Sequence, residues 1–384
     1  MQRRINVDSG RPLEKKAQYS RALRVNDLVQ QSGTTAIDLD GNILGESVTA
    51  QVAAIFDIAS ASMGVAEGHL NNIVRVRAFV VGETNLRPAA EAISARFADQ
   101  PIALTVIPIS QLARPTQLVE IEFEAIDGAA ASASPLPITA HQHVDVGGIA
   151  IKQRLLFSGL STNKGDAGQQ TQAIFAALFS RLDSINVNRG DLVCLRVFNR
   201  DHTTAIARLD DIAVILDGTN PVVSIFEVPP FSDTDTHIMI EAECVLGAGD
   251  QAQTTPHPQF NNFANTLSIN DQIYLSNIAP LDSQHAVVAA DDWGAQRDFC
   301  IEQLHTTLSA IGSSLDDVIN RRYFTHAAAV QNRAYGEGPA WFAATRPATL
   351  GCRIANHLHS GTVLTVEAHA VRGAGENIEW RKLD

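Results

Sequence analysis

Residues 70–79 read LNNIVRVRAF, and the phrase returns as RGDLVCLRVF at 189–198 and as LDDVINRRYF at 315–324. Arg77, Arg196 and Arg322 fall in register, as do Phe79, Phe198 and Phe324, so the arginine recurs after 119 and then 126 residues. Two further anchors keep that period. LVQQSGT, LLFSGLS and IYLSNIA place Ser32, Ser158 and Ser276 at intervals of 126 and 118, and VEIEFEAI, IMIEAECV and LTVEAHAV place Glu122, Glu241 and Glu367 at 119 and 126. Self-similarity at a fixed period marks a chain built from repeated units. The 384 residues then divide into three units of about 128, each the size of a small domain.

Hydrophobic spacing supplies the content of a unit. ALRVNDLVQQSG alternates on either side of Asn26-Asp27, a turn-forming pair, and predicts a hairpin. Within 49–63, Val52, Ile55, Phe56 and Ala59 recur at helical spacing with a polar opposite face. A strand at 73–80, a helix at 86–98 and strands at 104–109 and 118–125 complete the first unit. The other two repeat the plan, with first helices at 170–182 and 293–311. Each unit is expected to be an α+β domain with its helices on one sheet face. The units are placed at 1–127, 138–246 and 260–384, separated by linkers at 128–137 and 247–259 that are rich in small residues, Pro and Gln. Packing the free sheet faces around a common axis would bury them, giving an intramolecular pseudo-trimer with three clefts that can diverge separately.

Composition narrows the function. The chain is 45% hydrophobic and 18% charged, with 29 basic against 42 acidic residues and a net charge of −13. No basic surplus exists to release counterions from a polyanion, so neither nucleic acid nor an anionic membrane is expected as a partner. No run of about 18 apolar residues suggests a spanning helix, and the polar first twenty residues lack the apolar stretch of a secretory signal. Cys194, Cys244, Cys300 and Cys352 are widely spaced, with no CxxC pair. That pattern suits reduced, packed thiols and a cytoplasmic protein.

The stretches YSRALRVNDLVQQSGTTAIDLDGNILGESVTAQ, NNIVRVRAFV and QLARPTQLVEIEFEAI together resemble the RidA/YjgF family of enamine and imine deaminases. The resemblance covers the first unit strongly and reaches the others through the repeat. It implies a chorismate-mutase-like α+β fold and a trimer with a ligand cleft at each interface. The architecture is also similar to cyanuric acid hydrolases and barbiturases, and to chorismatases. The resemblance implies an arginine on the penultimate strand that grips a substrate carboxylate through its planar fork; that position holds Leu104, Val223 and Thr349 here. The family's water-activating acid matches Glu120, whereas the second and third units carry Met239 and Thr365. Tyr19 aligns with Asp145 and Phe263, and Asn277 stands where glycine is usual after Ser276. A Ser–Lys dyad of the cyanuric acid hydrolase kind could be built only once, from Lys152 and Ser158.

The candidate catalytic residues are Glu120, Glu367, His369 and Ser32, and the candidate substrate-binding residues are Tyr19, Arg353, His357 and His359. Glu367 and His369 lie two apart on a strand, so they share a face on which an acid–base pair could form; hydrogen-bonded interface residues are the alternative. Glu120 and Glu122 also share a face, as a general base with a raised pKa or as salt-bridge partners of Arg75 or Arg77. His357-Leu-His359 and His141-Gln-His143 could each aim two imidazoles at a metal, but no third ligand follows in sequence, so neither metal nor cofactor is expected. The stretch 336–341, GEGPAW, reads as a short lid or interface loop. The expected function is a small-molecule enzyme that uses water to cleave a C–N bond in one or two interdomain clefts. It would be an imine or enamine deaminase or a cyclic-amide hydrolase, working as a monomeric pseudo-trimer or a higher homo-oligomer. The alternatives are a chorismatase-like hydrolase or lyase on a carboxylated ring, and a non-catalytic ligand-binding or scaffold protein.

Overall fold

A computed structural model describes residues 2–201, 205–332 and 339–383. The first stretch runs β1 (Arg4–Asp8), α1 (Pro12–Lys16), β2 (Ala22–Val25), β3 (Leu28–Thr35), α2 (Val48–Val65), β4 (Ile73–Val81), α3 (Glu83–Ser94), β5 (Ala103–Ile109), β6 (Val119–Ile126). The second runs α4 (Ala129–Ser132), β7 (Ser134–His141), β8 (Val144–Ile151), β9 (Arg154–Ser161), α5 (Ala167–Ser184), β10 (Leu192–Asn199), α6 (Ala205–Leu216), β11 (Val222–Glu227), β12 (Ile238–Val245). The third runs α7 (Ala248–Gln251), β13 (Gln253–Pro256), β14 (Ala264–Ile269), β15 (Gln272–Leu275), α8 (Trp293–Ala310), β16 (Val318–His326), β17 (Ala348–Ile354), β18 (Leu364–Val371), β19 (Ile378–Lys382). The fold is mixed α+β.

Strand pairing repeats with the sequence. β4 lies antiparallel to β6 and parallel to β5, and β10 relates in the same way to β12 and β11, as β16 does to β18 and β17. One sheet is ordered β19-β1-β2-β3-β6-β4-β5. The other runs β17-β16-β18-β15-β14-β11-β10-β12-β9-β8-β7. The edges meet in a cycle: β5 packs on β9, β11 on β14, and β17 on β3.

The sheets carry helices on one face. α2 and α3 bury Val52, Ile55, Phe56, Met63 and Ile93 against Val76, Ile121 and Phe123. α2 is long and apolar enough to cross a membrane by length and composition, although no unbroken apolar run suggested it. Here its apolar stripe faces the core, as in an ordinary amphipathic helix. The anchor phenylalanines Phe79, Phe198 and Phe324 share one cluster, with Phe226 stacked on Phe324 at 3.8 Å between centroids.

The expected linkers are structured. Gly128 (φ +81°) and Gly247 (φ +86°) turn the chain at the ends of β6 and β12, a left-handed conformation that glycine adopts without steric cost. A helical turn and an edge strand follow each. The sequence of β7 hides this, because most of its side chains are exposed and carry no burial pattern. In the third unit the described residues between β16 and β17 hold a short 3-10 segment, Ala327–Asn332. Finally, β19 leaves the third unit and pairs in parallel with β1, from Arg4–Ile378 to Asp8–Lys382.

Candidate functional site

A cavity of about 280 Å³ opens where the first unit's β3 and β6 meet the third unit's β16, β17 and α8. That is close to the lower end of ligand-sized sites, about 300 Å³. Tyr19, Gly33, Thr35, Gln117 and Glu120 line it from one side, and Trp293, Arg321, Tyr323, Trp341, Phe342, Thr349 and Gly351 from the other. Arg11, Lys16, Arg21, Arg114 and Arg297 complete a wall that is cationic and aromatic in a chain of net charge −13.

Glycine at position 33 seats the carboxylate. A Cβ there would stand 2.3 Å from Oε1 of Glu120 and 2.6 Å from Cδ1 of Leu350, so any side chain at 33 would displace the ends of both. Tyr19 reaches the same cavity on the turn after α1. Its hydroxyl accepts a bond from Nη2 of Arg21 at 3.2 Å, while Nη2 of Arg21 lies 2.8 Å from Oε1 of Glu14. Burial pushes the Tyr19 phenol above its ordinary pKa.

Strand alternation sends Arg322 to the sheet face it shares with Glu122 and sends Arg321 and Tyr323 to the opposite face, where α8 packs. Arg321 pairs across the ladder with Thr349, the position where the family resemblance implies an arginine. Its Nε donates to the Thr349 hydroxyl at 3.0 Å. Its Nη2 donates to the carbonyls of Ala17 and Gln18. The guanidinium lies 4.4 Å from the Phe342 ring centroid and 5.2 Å from that of Tyr323. Desolvation lowers its pKa. The sequence carries a signal for it, since Arg321 aligns with Val76 and Leu195, so one unit bears a cation where the others are aliphatic.

The other expected residues are placed differently. Ser32 lies beside the cavity but is a staple: its hydroxyl donates to the Ser20 carbonyl and accepts from the Thr349 amide at 2.9 Å. Ser276 repeats the arrangement with Ala264 and Val223, so two of the three recurring serines join one unit's hairpin to its neighbour's penultimate strand. Glu367 belongs to a closed ring of buried charges. Arg77 bridges Glu122 and Glu241, Arg196 bridges Glu241 and Glu367, and Arg322 bridges Glu367 and Glu122. Burial alone would raise the Glu367 pKa, but Arg196 and Arg322 hold it below the ordinary carboxylate value. The expected Glu367–His369 acid–base pair is therefore corrected. Glu367 is committed to arginines, and His369 stacks on Tyr274 at 5.0 Å, its pKa pushed down to about 4 by burial and Arg154.

Arg353 is a strut: its Nη1 donates to the Leu112 carbonyl at 2.7 Å, and its own carbonyl accepts from Ser110. His357 and His359 line a second cavity of about 30 Å³ with His257, Asn277 and Thr365, at the meeting of the second and third units. They are thus separated from Glu120 and Tyr19. Lys152 pairs with Asp27 on the exposed hairpin turn, which removes it from any dyad with Ser158. Of the 336–341 stretch, Pro339 and Trp341 line the large cavity, and residues 336–338 lie outside the described residues. Among the described residues, no group of three His, Cys, Asp or Glu could hold a metal ion. All four cysteines are buried, and burial raises each thiol above its ordinary pKa.

Residues 10–127 match the family model described as Endoribonuclease L-PSP. A YjgF/YER057c/UK114 family member from Mycobacterium tuberculosis is 29% identical over 32% of this chain and 99% of its own, with a TM-score of 0.30. A putative endoribonuclease from Thermotoga maritima is 24% identical over 29% of this chain and 93% of its own, with a TM-score of 0.27. A chorismatase is 12% identical over 78% of this chain and 93% of its own, with a TM-score of 0.50, a likeness of fold across most of the molecule. No curated protein matches the chain. The family-model match thus covers the first unit.

Proposed function

We propose that this chain is a trimer written as one polypeptide, and that it is a small-molecule enzyme working in the cleft lined by Tyr19 and Glu120, between its first and third units. Glu120 acts there as the general base toward water. One observation carries the reading: the Glu120 carboxylate is seated against Gly33 in a cavity whose other charged lining groups are cations. A carboxylate in such a site accepts a proton from water while nearby cations stabilise the negative charge that develops on the attacked group. Cleavage of a C–N bond is the reaction, as in the imine deaminases that the first unit resembles.

A second reading, hydrolysis or elimination on a carboxylated ring, is favoured by the cationic, aromatic lining and by the fold likeness to a chorismatase over 78% of the chain. Turnover assays separate the two. Purified protein is offered imines generated in place by an amino-acid oxidase, cyclic amides, and chorismate. Wild type consumes one class, and Glu120→Gln loses about 100-fold or more of that rate with its thermal melt unchanged. A Glu120→Gln protein of wild-type rate overturns the assignment of the base. Binding without turnover in any class makes the protein a ligand-binding module.

A further inference from the structure

A buried N–H group left without an acceptor carries its full desolvation cost. A cavity of about 20 Å³ lies at the arginine–glutamate ring, apart from the Glu120 cleft. One ring arginine from each unit lines it, Arg77, Arg196 and Arg322, together with Arg75 and Arg154. Against these five guanidiniums its wall holds two carboxylates, Glu124 and Glu243, and their oxygens are engaged. Glu243 accepts through Oε1 from Nε of Arg154 and the Tyr274 hydroxyl, each at 2.8 Å, and through Oε2 from Nη2 of Arg75 at 2.7 Å. Glu124 accepts from Gln30 through Oε2 at 3.0 Å, and its Oε1 lies 2.7 Å from Nη2 of Arg154. Donors are left over. Nη2 of Arg77 and Nε of Arg196 are buried with no hydrogen-bond partner among the described residues, and His369 in the same wall adds a third donor in its Nε2–H tautomer. Like charges also meet here, since Arg196 acts on Arg77 more strongly than Glu241 or Glu122 does. Adding Glu122, Glu241 and Glu367, which do not line the cavity, balances five arginines with five glutamates, so a surplus of donors and not of net charge selects what fits.

We infer that this cavity is a halide site, where one chloride-sized anion accepts N–H bonds from Arg77 and Arg196 and ties the units together at the ring. A space of about 20 Å³ holds a single water-sized body, for which about 10–15 Å³ suffices, and is too small for a phosphate, a sulfate or a carboxylic acid. Water is the competitor. It must donate as well as accept, and the carboxylate oxygens in the wall already take bonds or ion pairs. A monatomic anion only accepts, from any direction, and the guanidiniums around it offset its desolvation. The inference is independent of the chemistry in the Glu120 cleft.

Full-length protein is dialysed into sodium gluconate, and its thermal melt is followed as sodium chloride or bromide replaces gluconate at constant ionic strength. Either halide is expected to raise the melting temperature saturably, by about 2 °C or more at roughly a hundredfold excess over its dissociation constant. Crystals grown in gluconate and soaked in bromide are expected to show an anomalous peak between Arg77 and Arg196. Cys194 lines the cavity without belonging to the ring, so Cys194→Met is expected to fill the space and erase both effects. Equal melts in halide and gluconate overturn the inference, as does an ordered water at that position in the soaked crystals. A peak with no effect in solution is binding at crystal concentration only, and also overturns it. A folded Cys194→Met protein that keeps the full halide response does the same. Should that variant fail to fold, the wild-type melt and the bromine peak still decide.

Discussion

Gly33 and Glu120 are so close that a methyl group would have to displace the carboxylate: a Cβ on residue 33 would sit 2.3 Å from its oxygen. Gly33→Ala is therefore expected to destabilise the protein by about 1–3 kcal/mol, the usual cost of overpacking. In a Glu120→Ala background the same change should cost less, with a residue of strain from Leu350 at 2.6 Å. Urea denaturation of the four proteins in a double-mutant cycle gives the coupling. Strict additivity would show that the carboxylate is not held there.

The ring of Arg77, Arg196, Arg322, Glu122, Glu241 and Glu367 predicts an acid limb of stability. Burial would raise the Glu122 pKa, but Arg322 and Arg77 bring it down to about 2. A depressed carboxylate pKa contributes stability that is fully present above the unfolded value near 4.5 and is lost as pH falls toward 2. Glu122→Gln should cost about 3–5 kcal/mol at neutral pH, because it takes one of two acid partners from each of two buried guanidinium groups, and should flatten the melt-temperature profile between pH 4.5 and 2. An unchanged profile would place the acid sensitivity elsewhere.

His357 works in a different window. It is 5% exposed, its Nε2 has no hydrogen-bond partner among the described residues, and burial lowers its pKa to about 3. The unfolded chain takes up a proton near pH 6.5 that the folded chain refuses, so stability is complete above 6.5 and falls as pH drops toward 3. This single group accounts for about 2 kcal/mol between pH 7 and 5, at about 1.4 kcal/mol per unit. Chemical denaturation of wild type and His357→Gln at both values measures it, and equal slopes in the two proteins refute it.

The C-terminal strand should matter beyond its length. Deleting residues 377–384 removes β19, the Arg346–Trp380 stack (4.8 Å to the ring centroid) and the bridge from Arg381 to Glu67. Hydrogen exchange of the β1 amides facing β19 is expected to accelerate at least tenfold, while amides of β10 and β12 keep their protection. Unchanged exchange along β1 would mean that the pairing is dispensable.

The anchors that exposed the repeat are legible because they carry the contacts between units: Phe79, Phe198 and Phe324 share a cluster, and the three arginines share a ring. Position by position, the same alignment points to Glu120 and Tyr19, and both line the cavity. It misled for Glu367 and His369, because a strand face says which residues are neighbours and not which arginine of another unit already claims them. Arg321 lies outside the family pattern, because the resemblance points to the penultimate strand and this side chain arrives from the neighbouring one, opposite Thr349. The edge strand β7 was invisible, since periodicity appears only where one face is buried and β7 buries little.

Main chain crosses two of the three junctions in this molecule: the turn at Gly128 carries it from β6 to β7, and the turn at Gly247 from β12 to β13. No such crossing joins the third unit to the first. There β19 lies alongside β1, and the joint is held by a ladder, the Ser32 staple and side-chain contacts. The cavity lined by Glu120 sits at that joint. A molecule entering it has only non-covalent edges to part, so the cleft that holds Glu120 lies at a joint that no peptide tether crosses.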